Sequence, residues 1–171
     1  MRANWIKNMI KTVYGQLEEP PEFSVPPSIL LVVAPYHRTI TDQLIEGATK
    51  TLNKVSAKID FVEVPGALEI PTAILLASRH FSAFVALGCV IRGETSHYDT
   101  VSNESSRAIS HLGLQGICIG NGILTVENYD QAEKRANPKV QNKGGDAAMA
   151  ALQLIKLKTK FGHKTMLYGS Y

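Results

Sequence analysis

Residues 87–99 read L-G-C-V-I-R-G-E-T-S-H-Y-D. A carboxylate, two hydroxyls and a histidine crowd in just after an apolar run, with Gly93 supplying freedom for a tight turn. Ser96-His97-Tyr98-Asp99 fits S-x-x-D, which predicts a helix start with Ser96 as N-cap and His97 as the first helical residue. The N–H groups of Glu94, Thr95 and His97 would then face outward at a helix N-terminus, where geometry and dipole favour an anion such as phosphate. His97 beside that anion is placed to move protons near neutral pH. A plainer reading, a solvated histidine on a helix start, fits the same pattern.

Other residues carry a similar pair of readings. Glu69 follows V-P-G-A-L, either as a first-turn acid that suits a helix dipole or as an acceptor for ligand hydroxyls. Tyr36 either stacks a flat heterocycle or packs, and His37 beside it reads as a solvated loop residue. Arg135 ends a polar helix, with Lys139 and Lys143 following in N-P-K-V-Q-N-K-G-G. These cations either complement a helix C-terminus within a solvated loop or clamp a phosphate in a neighbouring subunit. Gly120-Asn121-Gly122 is a weak signal and no nucleotide fingerprint.

The elements that must position these residues alternate. Apolar or alternating stretches at 29–34, 58–64, 83–91 and 116–120, the last resuming near Ile123-Leu124, predict strands. Helices are predicted at 39–52, 69–78, 97–112, 127–136 and 145–160, with Pro71 tolerable only in a first turn. Continuous apolar strands imply burial on both faces, hence an α/β fold with a parallel sheet and helices on each side. Such sheets bind ligands at the carboxyl ends of their strands. The segments after the four strands, the last being Gly120-Asn121-Gly122, are therefore expected to converge on one edge. The residues alone point to a small anionic ligand with a flat, hydroxylated partner.

Composition limits the alternatives. The chain has 171 residues, 44% hydrophobic and 19% charged, which suits one globular domain. A net charge of +3, without a Lys/Arg run, argues for no nucleic-acid partner. No stretch has the roughly 18 apolar residues of a membrane span, and the N-terminus lacks signal-peptide features. Cys89 and Cys118 sit in apolar runs and read as free thiols of a reducing compartment, so a cytoplasmic location is expected. No Cys/His spacing suggests a metal. Residues 1–28, with an apolar stripe at Trp5, Ile6, Met9 and Ile10 and a proline-rich stretch, read as an extended or flexible arm. The folded domain is expected over 29–161 and a C-terminal tail over 162–171.

Several motifs taken together resemble the lumazine synthase family. They are V-P-G-A-L-E-I-P (64–71), L-G-C-V-I-R-G-E-T-S-H-Y-D (87–99), V-S-N-E-S (101–105), I-L-T-V-E-N-Y-D-Q-A (123–132), Arg135 and N-K-G-G (142–145). The resemblance implies a three-layer, flavodoxin-like fold with a four-stranded parallel sheet flanked by helices. It implies condensation of 5-amino-6-(D-ribitylamino)uracil with 3,4-dihydroxy-2-butanone 4-phosphate, without cofactor or metal, in the penultimate step of riboflavin synthesis. It implies homo-oligomers, pentamers or larger shells, whose sites are shared between adjacent subunits. His97 falls at the general acid/base position, and Gly93, Glu94, Thr95, Arg135 and Lys143 at the phosphate. Glu69, flanked by Ala67 and Leu68, falls at the ribityl chain; Tyr36 falls at the ring, and Val90 and Ile91 at the uracil edge. Tyr36-His37 stands where Phe-Asn is common, Leu68 where Phe is frequent, and Asn121 where many members carry a Phe that covers the ring from the next subunit.

Overall fold

The computed structural model describes residues 19–162. The stripe expected at Trp5, Ile6, Met9 and Ile10, and nearly all of the 162–171 tail, lie outside them. Four strands, β1 (Ser28–Val33), β2 (Lys58–Glu63), β3 (Ala83–Ile91) and β4 (Ile119–Val126), form one parallel sheet in the order β2-β1-β3-β4. Among the described residues five helices accompany the strands: α1 (Arg38–Asn53), α2 (Ile70–Ala77), α3 (His97–Leu114), α4 (Tyr129–Ala136) and α5 (Lys143–Gly162).

β1 and β3 lie at the centre of the sheet, and their continuous apolar runs are buried on both faces. Ile29, Leu31 and Val33 face one core, shared with α1, α4 and α5. Leu30 and Val32 face the other, shared with α2 and α3. The result is a three-layer α/β fold. Full burial of each such aliphatic side chain contributes roughly 1.5–3 kcal/mol. β2 is an edge strand and stays largely exposed, Phe61 and Val62 included. Of the arm, Phe23 packs on the first core and the Pro27 carbonyl accepts the Lys58 N–H at 2.9 Å.

Two sequence expectations change here. Gly120-Asn121-Gly122 does not end a strand; it lies inside β4, with Asn121 paired to Ala86. It therefore does not join the other three segments at the carboxyl edge. Its glycines serve packing: a Cβ on Gly120 would come within 1.8 Å of the Ala147 carbonyl oxygen of α5. The second change is at N-K-G-G, which is not a solvated loop but the start of α5. Asn142 takes a φ of 48°, and a Cβ on Gly144 would sit 2.0 Å from the Leu44 carbonyl oxygen of α1. α3 ends in a Schellman turn: Gly116 at φ 85°, its N–H to Gly113 and the Ile117 N–H to Leu112.

Gly120→Ala should therefore cost about 1–3 kcal/mol or more of stability, as overpacking against backbone does. Gly113→Ala, in a helix turn with nothing within 4 Å of the new Cβ, should cost nothing and gain a few tenths. Urea unfolding of the two variants checks the contrast.

Candidate active site

The chain leaves β1 toward β2 at one edge and returns to β3 on the other side of β1, so the strand order reverses between β1 and β3. Ligand clefts form outside the carboxyl ends of strands at such a switch point. A cleft of about 460 Å³ lies there, lined by residues that follow β1 and β2, the end of β3 and the start of α3. Tyr36, Ala67, Leu68, Glu69, Val90, Ile91, Gly93, Thr95 and His97 all reach it. Glu94 is exposed and does not line it.

Each is placed by its local chain. Pro71 sits in the first turn of α2, and Glu69 occupies the N-cap position with its carboxylate folded back toward Gly66. No hydrogen bond engages that carboxylate among the described residues, which leaves both oxygens free to accept from a ligand. Tyr36 is 82% exposed, its ring edge-on to His37 at 5.1 Å. An aromatic face so open can take a stacked ring.

The helix start at His97 is as expected, but its capping is not. Ser96 adopts helical backbone angles, and its hydroxyl makes no cap bond. A side-chain cap needs an extended Ncap residue. Thr95 Oγ1 instead accepts the His97 N–H at 3.3 Å. Asp99, the expected box partner, pairs with Arg92 at 3.1 Å. Gly93 has no positive φ, so the turn does not use its special freedom. The arrangement still leaves an exposed imidazole and a helix N-terminus at the rim of one cleft.

Asn121, Arg135 and Lys143 lie elsewhere. They line a second concavity, also about 460 Å³, between β4 and the start of α5. Arg135 Nη1 donates to the Gln131 carbonyl at 3.1 Å, and Lys143 Nζ pairs with Asp146 at 2.7 Å. Asn121 Oδ1 accepts the Ile123 N–H at 3.0 Å. One chain thus carries an imidazole-and-carboxylate cleft and a separate cationic groove.

Sequence reasoning missed several contributors. His37, Tyr98 and Val101 also line the first cleft. The sequence pattern singles out no role for Arg92, yet its Nε donates to Glu127 at 2.8 Å and its guanidinium stacks on Tyr98. Desolvation works against its charge, but the Asp99 and Glu127 hydrogen bonds outweigh that and raise its pKa. The seven-residue spacing of Arg92 and Asp99 across the helix start was the available signal.

A three-layer parallel α/β sheet with an imidazole, a free carboxylate and an open helix N-terminus at its switch point defines an enzyme of the flavodoxin-like class that handles a small anionic substrate. The comparisons narrow the class. The family model described as 6,7-dimethyl-8-ribityllumazine synthase matches residues 26–159, and the chain belongs to that family. A protein of that name from Jannaschia sp. (strain CCS1) is 54% identical over 144 residues, 83% of this chain and 81% of that protein. One from Bartonella tribocorum is 50% identical, covering 80% of this chain and 93% of the relative. One from Zymomonas mobilis is 50% identical, covering 77% and 96%.

Cys89, a free thiol, lines the back of the cleft, and burial pushes its pKa from the ordinary 9.0 up to about 11. Burial also raises Cys118, with Lys158 acting weakly against it. The folded state thus favours the neutral Cys89 thiol. That share of stability is intact below about pH 9 and is lost as pH rises through about 11. Urea midpoints measured across this range should fall less steeply for Cys89→Ala than for the parent chain.

Proposed function

We propose that this chain is a transferase that makes 6,7-dimethyl-8-ribityllumazine in riboflavin biosynthesis. It condenses 5-amino-6-(D-ribitylamino)uracil with 3,4-dihydroxy-2-butanone 4-phosphate and releases phosphate and water. The observation that carries the reading is the cleft at the β1/β3 switch point, where His97, Glu69 and Tyr36 meet on a chain of this family. Tyr36 stacks the pyrimidine, and Val90 and Ile91 meet its edge. Glu69, between Leu68 and the helix it starts, accepts from the ribityl hydroxyls, with Ala67 beneath. Gly93, Glu94 and Thr95 offer backbone N–H and hydroxyl donors to the phosphate.

Condensing an amine with a ketone releases water, so a proton must reach the departing hydroxyl. The later loss of phosphate removes a proton from carbon. His97 carries both transfers, since an imidazole in the cleft can give a proton from one state and take it back in the other. No redox change occurs, and the chemistry asks for no cofactor or metal.

The phosphate clamp is completed by a second subunit. Arg135, Lys143 and Asn121 sit in a groove separate from the His97 cleft, which supports a closed homo-oligomer in which the groove of one copy faces the cleft of the next. A homopentamer is the form we assign. Asn121 is polar, so the ring is covered there by an amide rather than an apolar lid. The folded domain runs over 29–161, and the enzyme works in the cytoplasm. Free buried cysteines support that compartment, and no described helix is long and apolar enough to cross a membrane.

Mixing the two purified substrates with the protein should produce lumazine absorbance and fluorescence; no product at any protein concentration overturns the reading. His97→Ala should lower turnover by about 100-fold or more. Shared sites have a sharper consequence. His97→Ala and Arg135→Ala are each impaired, but co-assembled in equal amounts they should regain about a quarter of parental activity, because one interface in four pairs an intact cleft with an intact groove. Activity no higher than that of the separate variants would place both residues in one subunit's site.

A further inference from the structure

Arg92 does not line the cleft, yet its side chain joins three segments around it. Its Nε donates to Glu127 Oε2 at 2.8 Å and its Nη1 to Asp99 at 3.1 Å. Its guanidinium carbon lies 4.0 Å from the centre of the Tyr98 ring. Its backbone N–H donates to the Val126 carbonyl at 2.9 Å, so the arginine itself is anchored on the last rung of the sheet. Tyr98 and Asp99 directly follow His97 in α3. Glu127 directly precedes Asn128, which caps α4, the helix that carries Arg135.

The turn between Arg92 and His97 has little else to hold it. Nothing lies within 4 Å of a Cβ built on Gly93, Ser96 makes no cap bond, and the Thr95 hydroxyl contact to the His97 N–H is at 3.3 Å. Its position therefore depends on its two ends, β3 and α3. A guanidinium suits the task of tying them. Its rigid fork donates in two directions while its flat face stacks on a ring, which a lysine cannot do. With two carboxylates already on it, Arg92 is not a phosphate ligand.

We propose that Arg92 is a positioning residue: by holding Tyr98, Asp99 and Glu127 at once, it sets where the phosphate turn and His97 stand relative to the cleft. This rests on the proposed function for the identity of the substrates. Exposed ion pairs add little to stability, so the clamp acts on geometry more than on folding.

The test compares the parent, Arg92→Ala and Arg92→Lys as full chains. The readouts are steady-state kinetics for both substrates, calorimetric binding of inorganic phosphate, and thermal unfolding. In Arg92→Ala, kcat should fall about tenfold or more, and KM for the phosphorylated substrate and Kd for phosphate should rise by a similar factor, as small misplacements of reacting groups do. KM for the pyrimidine should stay within about twofold, because its contacts come from the loop after β1 and from β3 itself, whose sheet pairing does not depend on the Arg92 side chain. The unfolding midpoint should barely move. Arg92→Lys should keep most of the loss, since it restores charge without the fork. Arg92→Ala matching the parent in kcat and phosphate affinity would overturn the proposal. So would full recovery in Arg92→Lys, the variant that decides the matter if Arg92→Ala does not fold. If the parent forms no lumazine yet binds phosphate more tightly than Arg92→Ala, the proposed function falls and this inference stands. If the parent is active and Arg92→Ala equals it, the reverse holds.

Discussion

The burial of β1 and β3 on both faces is the constraint from which the rest follows. A strand with side chains such as Ile29 and Leu30 on alternate faces cannot leave either face to water, so each face needs helices. Those helices must be supplied by the crossovers that parallel pairing requires. With β2 on one side of β1 and β3 on the other, the crossovers part company above the β1/β3 pair. A cleft is left there because no helix covers the point where the chain changes direction. The site is thus a consequence of how the core is closed, and its chemistry is what the loops bring to it.

Close helix approach is the second condition. α5 comes down on β4 and α1 with backbone nearly touching backbone, which Gly120 and Gly144 permit. This approach shapes the groove that holds Asn121, Arg135 and Lys143. The same glycines therefore serve the core on one side and the cationic surface on the other. The imidazole cleft and the cationic groove are separate on the chain, and the function proposed above needs both. In the homo-oligomer proposed above, each interface would join these unlike surfaces.

Much of this was legible in the residues. The order of elements is plain from periodicity, and the longest apolar run, 83–91, coincides with β3. The convergence of Tyr36, Glu69 and His97 follows from reading what comes after each strand in a parallel sheet. The illegible parts share a cause. Gly120-Asn121-Gly122 looks like a turn because glycine has two uses, conformational freedom and close packing, and a one-dimensional pattern does not separate them. N-K-G-G misleads in the same way. S-x-x-D at 96–99 marks the helix start correctly, but Asp99 is drawn to Arg92, a competition settled by a guanidinium held at the end of the adjacent strand.

What the sequence determined by itself is the set of local preferences: which runs are buried, where helices begin, and the chemical groups that follow each strand. Those depend on periodicity and on neighbours within a turn or two, which are present in the chain order. The tertiary structure decided which groups meet. It put His97 with Glu69 and Tyr36, sent Arg135 and Lys143 to another surface, and gave Arg92 three partners from two other segments. Such meetings depend on strand order and on how closely helices approach the sheet. Both are set by the packing of the whole core, and no local stretch of residues carries them.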